Sequence, residues 1–229
     1  MNNYRYEIKF SLDEISYSEA MRWLHVNTHA TKKYDDRYVN SLYFDNPDYS
    51  SIRDNITGLS DRLKYRLRWY NSKYSSNDEI SPCFEQKIRK GRLGRKKITP
   101  LTNLKENFVS QSLNQIESDI RLELQKSNVL LDDYYTSVLS VKYLREYYED
   151  NLGLRITFDK DIEFSYVDGL NSKLVDCPKL QYRRYIMELK FNTDLKDYAS
   201  QLLSGLNISP TRHSKYLVGL STFGSILYI

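Results

Sequence analysis

The sequence predicts an α+β fold: an antiparallel β-barrel of about eight strands, flanked and plugged by helices. Three observations predict it. Many short runs alternate in polarity with period two, which is the strand period. Several of these runs carry charges on one face and large apolar residues on the other. The remaining segments show apolar residues at helical spacing, and helices packed outside a sheet require its outer face to be apolar, so the charged face must turn inward. A barrel of about eight strands has room inside for side chains or one narrow ligand.

The elements follow in chain order. Tyr4 to Phe10 alternates Tyr4, Tyr6, Ile8 and Phe10 against Arg5, Glu7 and Lys9. Asp13 to Val26 has helical spacing, and Tyr38 to Asp45 reads as a strand. Arg62 to Tyr70 is the most regular run: Arg62, Lys64, Arg66 and Arg68 alternate with Leu63, Tyr65, Leu67 and Trp69. Asn71 to Ser81 reads as a hairpin loop, and Phe84 to Lys90 and Arg95 to Thr99 are strands joined tightly through Gly91 and Gly94. Leu104, Phe108 and Leu113, then Ile116, Ile120 and Leu124, have helical spacing. Strands are expected at Ser137 to Tyr148, Leu154 to Asp159, Ile162 to Val167, Lys173 to Val175 and Tyr185 to Phe191. Helices close the chain at Leu195 to Leu206 and around Tyr216, Leu217, Leu220 and Phe223, the last with Ser209 or Ser214 as cap and Pro210 in its first turn.

The chain has 229 residues, 40% of them hydrophobic, enough for one domain spanning 1–229 with one sizeable core. The formal charge of +4 is modest, so an anion site must come from local clustering. The row Arg62, Lys64, Arg66 and Arg68 is such a cluster: its cations stand roughly 6.6 Å apart on one face and repel each other unless anions or water intervene. Three more strands carry Glu-x-Lys on one face: Glu7 and Lys9, Glu85 and Lys87, Glu188 and Lys190. On any one strand these are solubilising surface pairs; on four strands of a barrel covered by helices they line a bore suited to a chain of phosphates. Tyr143 and Arg145 share a face, Arg155 lies opposite Leu154 and Ile156, and Arg212, Ser214 and Lys215 stand at a helix start, where unpaired N–H groups favour anions.

Other chemistries find little support. His25 and His29 have no spaced partners, and Cys83 and Cys177 lack zinc or redox spacing. Gly91 and Gly94 fit neither a P-loop nor a dinucleotide fingerprint. Nucleic-acid binding is disfavoured because the aromatics alternate to the face opposite the arginines. No apolar run approaches the roughly 20 residues that span a bilayer, and the N-terminus lacks a signal-peptide core, so a cytoplasmic protein with free thiols and no direct membrane span is expected.

The motifs Tyr-x-x-Glu-x-Lys, N-S-L-Y-F-D, K-Y-R-L-R-W-Y, F-E-Q-K, Y-L-R, L-R-I-T-F-D, M-E-L-K and R-H-S-K occur in that order over essentially the whole chain. In this order and spacing they resemble the VTC domain of polyphosphate polymerases, a branch of the triphosphate tunnel metalloenzymes. The resemblance implies a closed antiparallel tunnel that binds ATP and inorganic polyphosphate. It also implies a divalent metal, Mn²⁺ or Mg²⁺, and transfer of the γ-phosphoryl group to a growing chain. Carried over by position, it implies phosphate-binding cations at Lys9, Arg66, Arg68, Lys87, Arg145, Arg155, Lys190 and Lys215, hydroxyl donors at Tyr143 and Ser214, and a metal ligand at Glu188. Lys64 and Arg212 join the substrate-binding set. Arg212 stands where relatives favour lysine, His213 where they favour an aromatic, and Arg53 is a candidate for the mouth. Arg66, Arg68, Lys87, Arg145 and Lys190 are the expected catalytic group.

Phosphoryl transfer of this kind rests on positioning and charge stabilisation and needs no covalent nucleophile. Hydrolytic tunnel enzymes carry Glu-x-Glu-x-Lys where this chain has Arg5, Glu7 and Lys9; the arginine favours a polymerase, while Glu7 and Glu85 remain metal or water ligands in reserve. The competing readings are a tunnel triphosphatase and a non-catalytic polyphosphate-binding module. Eukaryotic relatives carry regulatory and membrane segments, so any membrane coupling is expected from a separate membrane protein partner.

Overall fold

The alternating runs form one nine-stranded antiparallel sheet in the computed structural model, which describes residues 5–73, 80–91, 93–104, 107–167 and 172–224. Tyr4 and residues 74–79 of the expected hairpin loop lie outside the described residues. The strands are β1 (Tyr6–Leu12), β2 (Thr31–Asp45), β3 (Asp61–Ser72), β4 (Cys83–Lys90), β5 (Leu93–Pro100), β6 (Thr136–Glu149), β7 (Arg155–Tyr166), β8 (Lys179–Tyr182) and β9 (Tyr185–Phe191). Their order is β1-β9-β7-β6-β2-β3-β4-β5, with β8 added beside β7. The helices are α1 (Glu14–Asn27), α2 (Ser50–Ile56), α3 (Leu113–Lys126), α4 (Lys196–Ser204) and α5 (Lys215–Thr222).

The sheet curls until β1 and β5, its two ends, meet, but the closed barrel expected from the strand count is not formed as a continuous ladder. The two edges share one bridge, in which Arg5 and Gly94 exchange backbone hydrogen bonds of 3.3 Å. Farther along, the free edge of β1 is taken by another segment. Thr211 N donates to Lys9 O at 2.7 Å, and Ser11 N donates to Thr211 Oγ1 at 3.0 Å. Those backbone groups are satisfied without β5.

Three local expectations are corrected. The runs Leu154 to Asp159 and Ile162 to Val167 are one strand, β7, which passes through a bulge opposite Tyr143 with Asp161 at φ 52°; aspartate tolerates that left-handed conformation better than most residues. Lys173 to Val175 is not a strand: Lys173 makes an isolated bridge with Ser112, Leu174–Asp176 is a 3₁₀ turn, and the next strand is β8. Among its described residues, the stretch from Leu104 to Leu113 yields a 3₁₀ turn at Phe108–Ser110 and no α-helix before α3 begins. The seven-residue α2 has too few turns to show a period; it starts because Asp45 Oδ1 and Asn46 Oδ1 accept from the amides of Ser51 and Ser50.

Apolar packing fixes which face turns inward. α1 and α4 cover β1, β9 and β7, burying Trp23, Leu24 and Ala199 against Phe10, Phe158, Met187 and Leu189. α3 and the 3₁₀ turn cover the middle strands, burying Phe108, Ile116 and Ile120 against Leu42, Phe44, Leu67, Trp69 and Phe84. Both layers lie on the face opposite the charges. α5 is different, since it plugs the concave side, where Tyr216, Leu217 and Leu220 join Val39, Leu139, Val141 and Phe164. Its close approach depends on Gly219: a Cβ there would stand 2.6 Å from Leu139 Cδ2 and 2.9 Å from Phe164 Cδ1. Gly219→Val is therefore expected to cost about 2 kcal/mol or more through overpacking, read as a lowered melting temperature; an unchanged melt would show that α5 is free to shift.

Candidate functional site

The concave face holds two connected spaces. An inner chamber of about 130 Å³ is lined from β1, β2, β3, β4, β6, β9 and the start of α5. An outer vestibule of about 550 Å³ opens beside it, walled by Asn55 to Arg62, the β4–β5 turn and residues 210–214. Glu7, Lys9, Asn55, Arg62, Arg89, His213 and Ser214 border both. Among the described residues, ten cations line the chamber (Lys9, Arg62, Lys64, Arg66, Arg68, Lys87, Arg89, Arg145, Lys190 and Lys215), around four carboxylates (Glu7, Glu85, Asp159 and Glu188). The excess of positive charge in a partly dehydrated space makes the chamber an anion trap.

Its charges form two networks. In one, Lys87 and Lys9 hold Glu7 at 3.1 and 2.9 Å, while Glu188 lies 3.3 Å from Lys190, 3.7 Å from Arg145 and 4.0 Å from Lys9. Arg145 then grips the fully buried Asp159 with both arms of its fork, at 2.8 Å for Nη2, and Lys215 binds the same carboxylate. In the other, Glu85 accepts from Arg66 Nε and Lys96 Nζ, each at 2.8 Å, with Arg68 3.7 Å away. Hydroxyls complete it: Arg68 donates to Ser41 at 3.0 Å and to Tyr143 at 3.2 Å, and Arg66 donates to Tyr43 at 3.2 Å.

These environments set the protonation states. Burial alone would raise the pKa of Glu7, but Lys87 and Lys9 outweigh it and hold the carboxyl well below its ordinary value. Burial is likewise overruled at Glu85 by Arg66 and Arg68, and at Asp159 by Arg145 and Lys215, so both stay ionised. Among the described residues no carboxylate forms an ion pair with Lys64: it donates to Ser214 Oγ at 3.1 Å and lies over the Tyr216 ring. Burial, then Lys87 and Lys9, push it down to about 7. Burial pushes Lys87 down to about 8, with Glu7 opposing and Lys9 adding to the shift. His213 is driven down to about 3 by burial and then by Lys215 and Lys9, so it remains neutral.

The chamber thus brings together Glu7, Lys9, Lys64, Arg66, Arg68, Lys87, Tyr143, Arg145, Glu188, Lys190, Ser214 and Lys215. Ser214, not Ser209, caps α5, accepting from Leu217 N at 3.4 Å, and Pro210 precedes the helix. Three expected residues lie elsewhere. Arg53 is exposed on α2 and borders neither space; Asn55, two residues on, lines both and bonds Arg62 at 3.1 Å. Arg155 faces the concave side at the start of β7, but it is half-exposed and donates to Glu149 at 3.0 Å. Arg212 borders the vestibule and not the chamber. Asp159, Ser41 and Tyr43 were not picked out in the sequence. The alternation of Arg155, Thr157 and Asp159 places Asp159 on the charged face, yet only strand register aligns it with Arg145.

A divalent metal fits this donor set only in company. Among the described residues no group of three or more potential metal-binding side chains exists. Glu7 and Glu188 lie side by side, and the two oxygen donors suit a hard cation that also takes phosphate oxygens and water. Among the described residues no helix is long and apolar enough to cross a membrane.

A family model described as the VTC domain matches residues 4–223. No curated protein is similar enough in sequence to count as a relative. Among solved structures, an adenylyl cyclase candidate from Hippeastrum, described as having a dominant triphosphatase activity, aligns at a TM-score of 0.54 and 14% identity over 96% of each chain. A protein of Pyrococcus horikoshii OT3 aligns at 0.52 and 14% identity, covering 96% of this chain and 99% of its own. A candidate adenylate cyclase from Vibrio parahaemolyticus aligns at 0.51 and 12% identity, covering 93% of this chain and 97% of its own. At these identities the three show likeness of fold alone.

Proposed function

This chain belongs to the VTC domain family, and from that premise we propose that it is a polyphosphate polymerase, which transfers the γ-phosphoryl group of ATP to the end of an inorganic polyphosphate chain. One observation carries the choice among tunnel activities: every carboxylate of the chamber is already bound to lysine or arginine. A hydrolase must orient and activate water, and Glu7, Glu85 and Asp159, ion-paired and held ionised at low pKa, are weak bases for that task. The terminal oxygen of a polyphosphate brings its own negative charge and needs no base.

In this reading Arg66, Arg68, Lys87, Arg145 and Lys190 bind and align the phosphates and offset the charge that spreads over the transferred group. Tyr143 and Ser214 offer hydroxyl hydrogen bonds, and Lys9 and Lys215 complete the ring of charge. Glu188, with Glu7 beside it, would hold Mn²⁺ or Mg²⁺, which supplies further neutralisation of phosphate charge when bound. The substrates are ATP and inorganic polyphosphate; the cytoplasm, with any membrane coupling through a separate protein, is the expected setting.

The deciding experiment incubates the protein with ATP and Mn²⁺, with and without a polyphosphate primer, and follows both polymer length on a gel and orthophosphate release. A ladder supports the polymerase. Orthophosphate without a ladder replaces it by a triphosphatase, the activity described for the Hippeastrum protein. Neither product, with tripolyphosphate still bound, leaves a binding module. Glu188→Gln is expected to abolish turnover while tripolyphosphate binding persists; full activity in that variant would remove Glu188 from the mechanism.

A further inference from the structure

We infer that Arg37, just beyond the lining of the inner chamber, is an additional binding residue that engages phosphate chains longer than triphosphate; this rests on the polyphosphate reading above. Along β2, Arg37 shares its face with Ser41 and Tyr43, whose hydroxyls bond Arg68 and Arg66, so that face looks into the cavity. In the β2–β6 ladder Arg37 stands directly opposite Arg145, which lines the inner chamber. Like charges facing each other across a ladder are unfavourable unless an anion joins them. Arg145 has Asp159, whereas no carboxylate among the described residues forms an ion pair with Arg37.

Aromatic rings hold Arg37 instead. Its guanidinium lies 4.4 Å from the Tyr70 ring centre and 4.8 Å from that of Tyr147, and its Nε donates to Tyr147 Oη at 3.1 Å. The same Tyr147 ring flanks Arg145 at 5.9 Å. Tyr147 therefore stands between a guanidinium inside the chamber and one just beyond its wall. Stacking leaves the arms of a planar fork aimed sideways, a geometry suited to bidentate contact with a phosphate. A triphosphate engages the chamber cations alone, and a longer chain brings its next group to Arg37 as Tyr147 turns aside.

The test compares binding of tripolyphosphate and of long-chain polyphosphate at fixed salt in wild type, Arg37→Gln and Arg89→Gln. Arg37→Gln is expected to leave tripolyphosphate affinity unchanged and to weaken the long chain about tenfold, the loss of one charge-assisted pair. Equal weakening of both ligands, no weakening of either, or a long-chain loss confined to Arg89→Gln would overturn the inference; the last would send the chain out through the vestibule. Arg37→Lys keeps the charge without the fork and is expected to show a smaller long-chain loss, which serves if the glutamine variant folds poorly. Wild-type protein that binds neither ligand would refute the polyphosphate reading itself, whereas normal wild-type binding with an unaltered Arg37→Gln refutes only the role of Arg37.

Discussion

Asp159→Asn is expected to lower the free energy of unfolding by about 3–5 kcal/mol, because the substitution removes the carboxylate shared by two buried cations, Lys215 and Arg145, and among the described residues leaves Arg145 only Glu188 at 3.7 Å. Asp159 is fully buried and binds both Arg145, through two bonds, and Lys215. For a chain of this length the loss corresponds to a fall of roughly 10 °C in melting temperature. A second readout ties the effect to the cavity. Tripolyphosphate supplies negative charge to the same cluster, so it is expected to raise the melting temperature of the variant by more than it raises that of the wild type. A melt within about 1 °C of wild type would show that the pair is dispensable, and equal stabilisation of both proteins by tripolyphosphate would place the anion away from Arg145 and Lys215.

Affinity for tripolyphosphate is expected to fall steeply as pH rises from about 7 to 9. Lys64 and Lys87 are directly opposite each other on β3 and β4, with pKa values pushed down to about 7 and about 8, chiefly by burial. Besides Lys87, which bears on Lys64, the groups that bear on them are Lys9, Arg62, Lys190, Glu7, Glu188 and Asp45, the last opposing the shift of Lys64, with the Ser214 hydroxyl bonded to Lys64. A bound polyanion favours the charged form of both lysines, so binding draws in protons wherever they are neutral beforehand. Each such proton contributes up to about tenfold in affinity per pH unit, from pH 7 upward for Lys64 and from pH 8 upward for Lys87. Lys64→Met should flatten the profile between pH 7 and 8; an unchanged slope in that variant would remove Lys64 from the linkage. In the unliganded protein the contribution of Lys64 to stability is expected to run the other way with pH. The folded pKa of Lys64 lies below the ordinary lysine value near 10.4, so the unfolded chain binds more protons between about pH 7 and 10. The contribution of Lys64 to stability therefore rises with pH across that window and is lost as pH falls toward 7.

Much of this was legible in the sequence because strand alternation is a local signal. The row Arg62, Lys64, Arg66 and Arg68 and the three Glu-x-Lys pairs each declare two faces, and the outer helices decide which face turns inward. The helical segments α1, α4 and α5 are equally local, since an apolar stripe and a capping residue such as Ser214 are written within a few turns. Arg53 and Arg155 were misplaced for a related reason: a cation beside a charged strand looks the same whether it enters the chamber or, like Arg155, turns to Glu149 at the rim.

What the sequence by itself determined was the period of each element, the face that carries charge and the choice of arginine and lysine as its lining, all set by residues two to four positions apart. Only the tertiary structure decided the partners. Asp159 meets Arg145 through the register of β6 with β7, Lys64 meets Ser214 across 150 residues of chain, and Thr211 occupies the edge of β1 that β5 would have taken in a closed ladder. Those pairings depend on long-range register and on how α5 seats against Phe164, and it is they, not the composition of the strands, that give Arg66 an ion pair with Glu85 and Lys64 a hydrogen bond to the Ser214 hydroxyl.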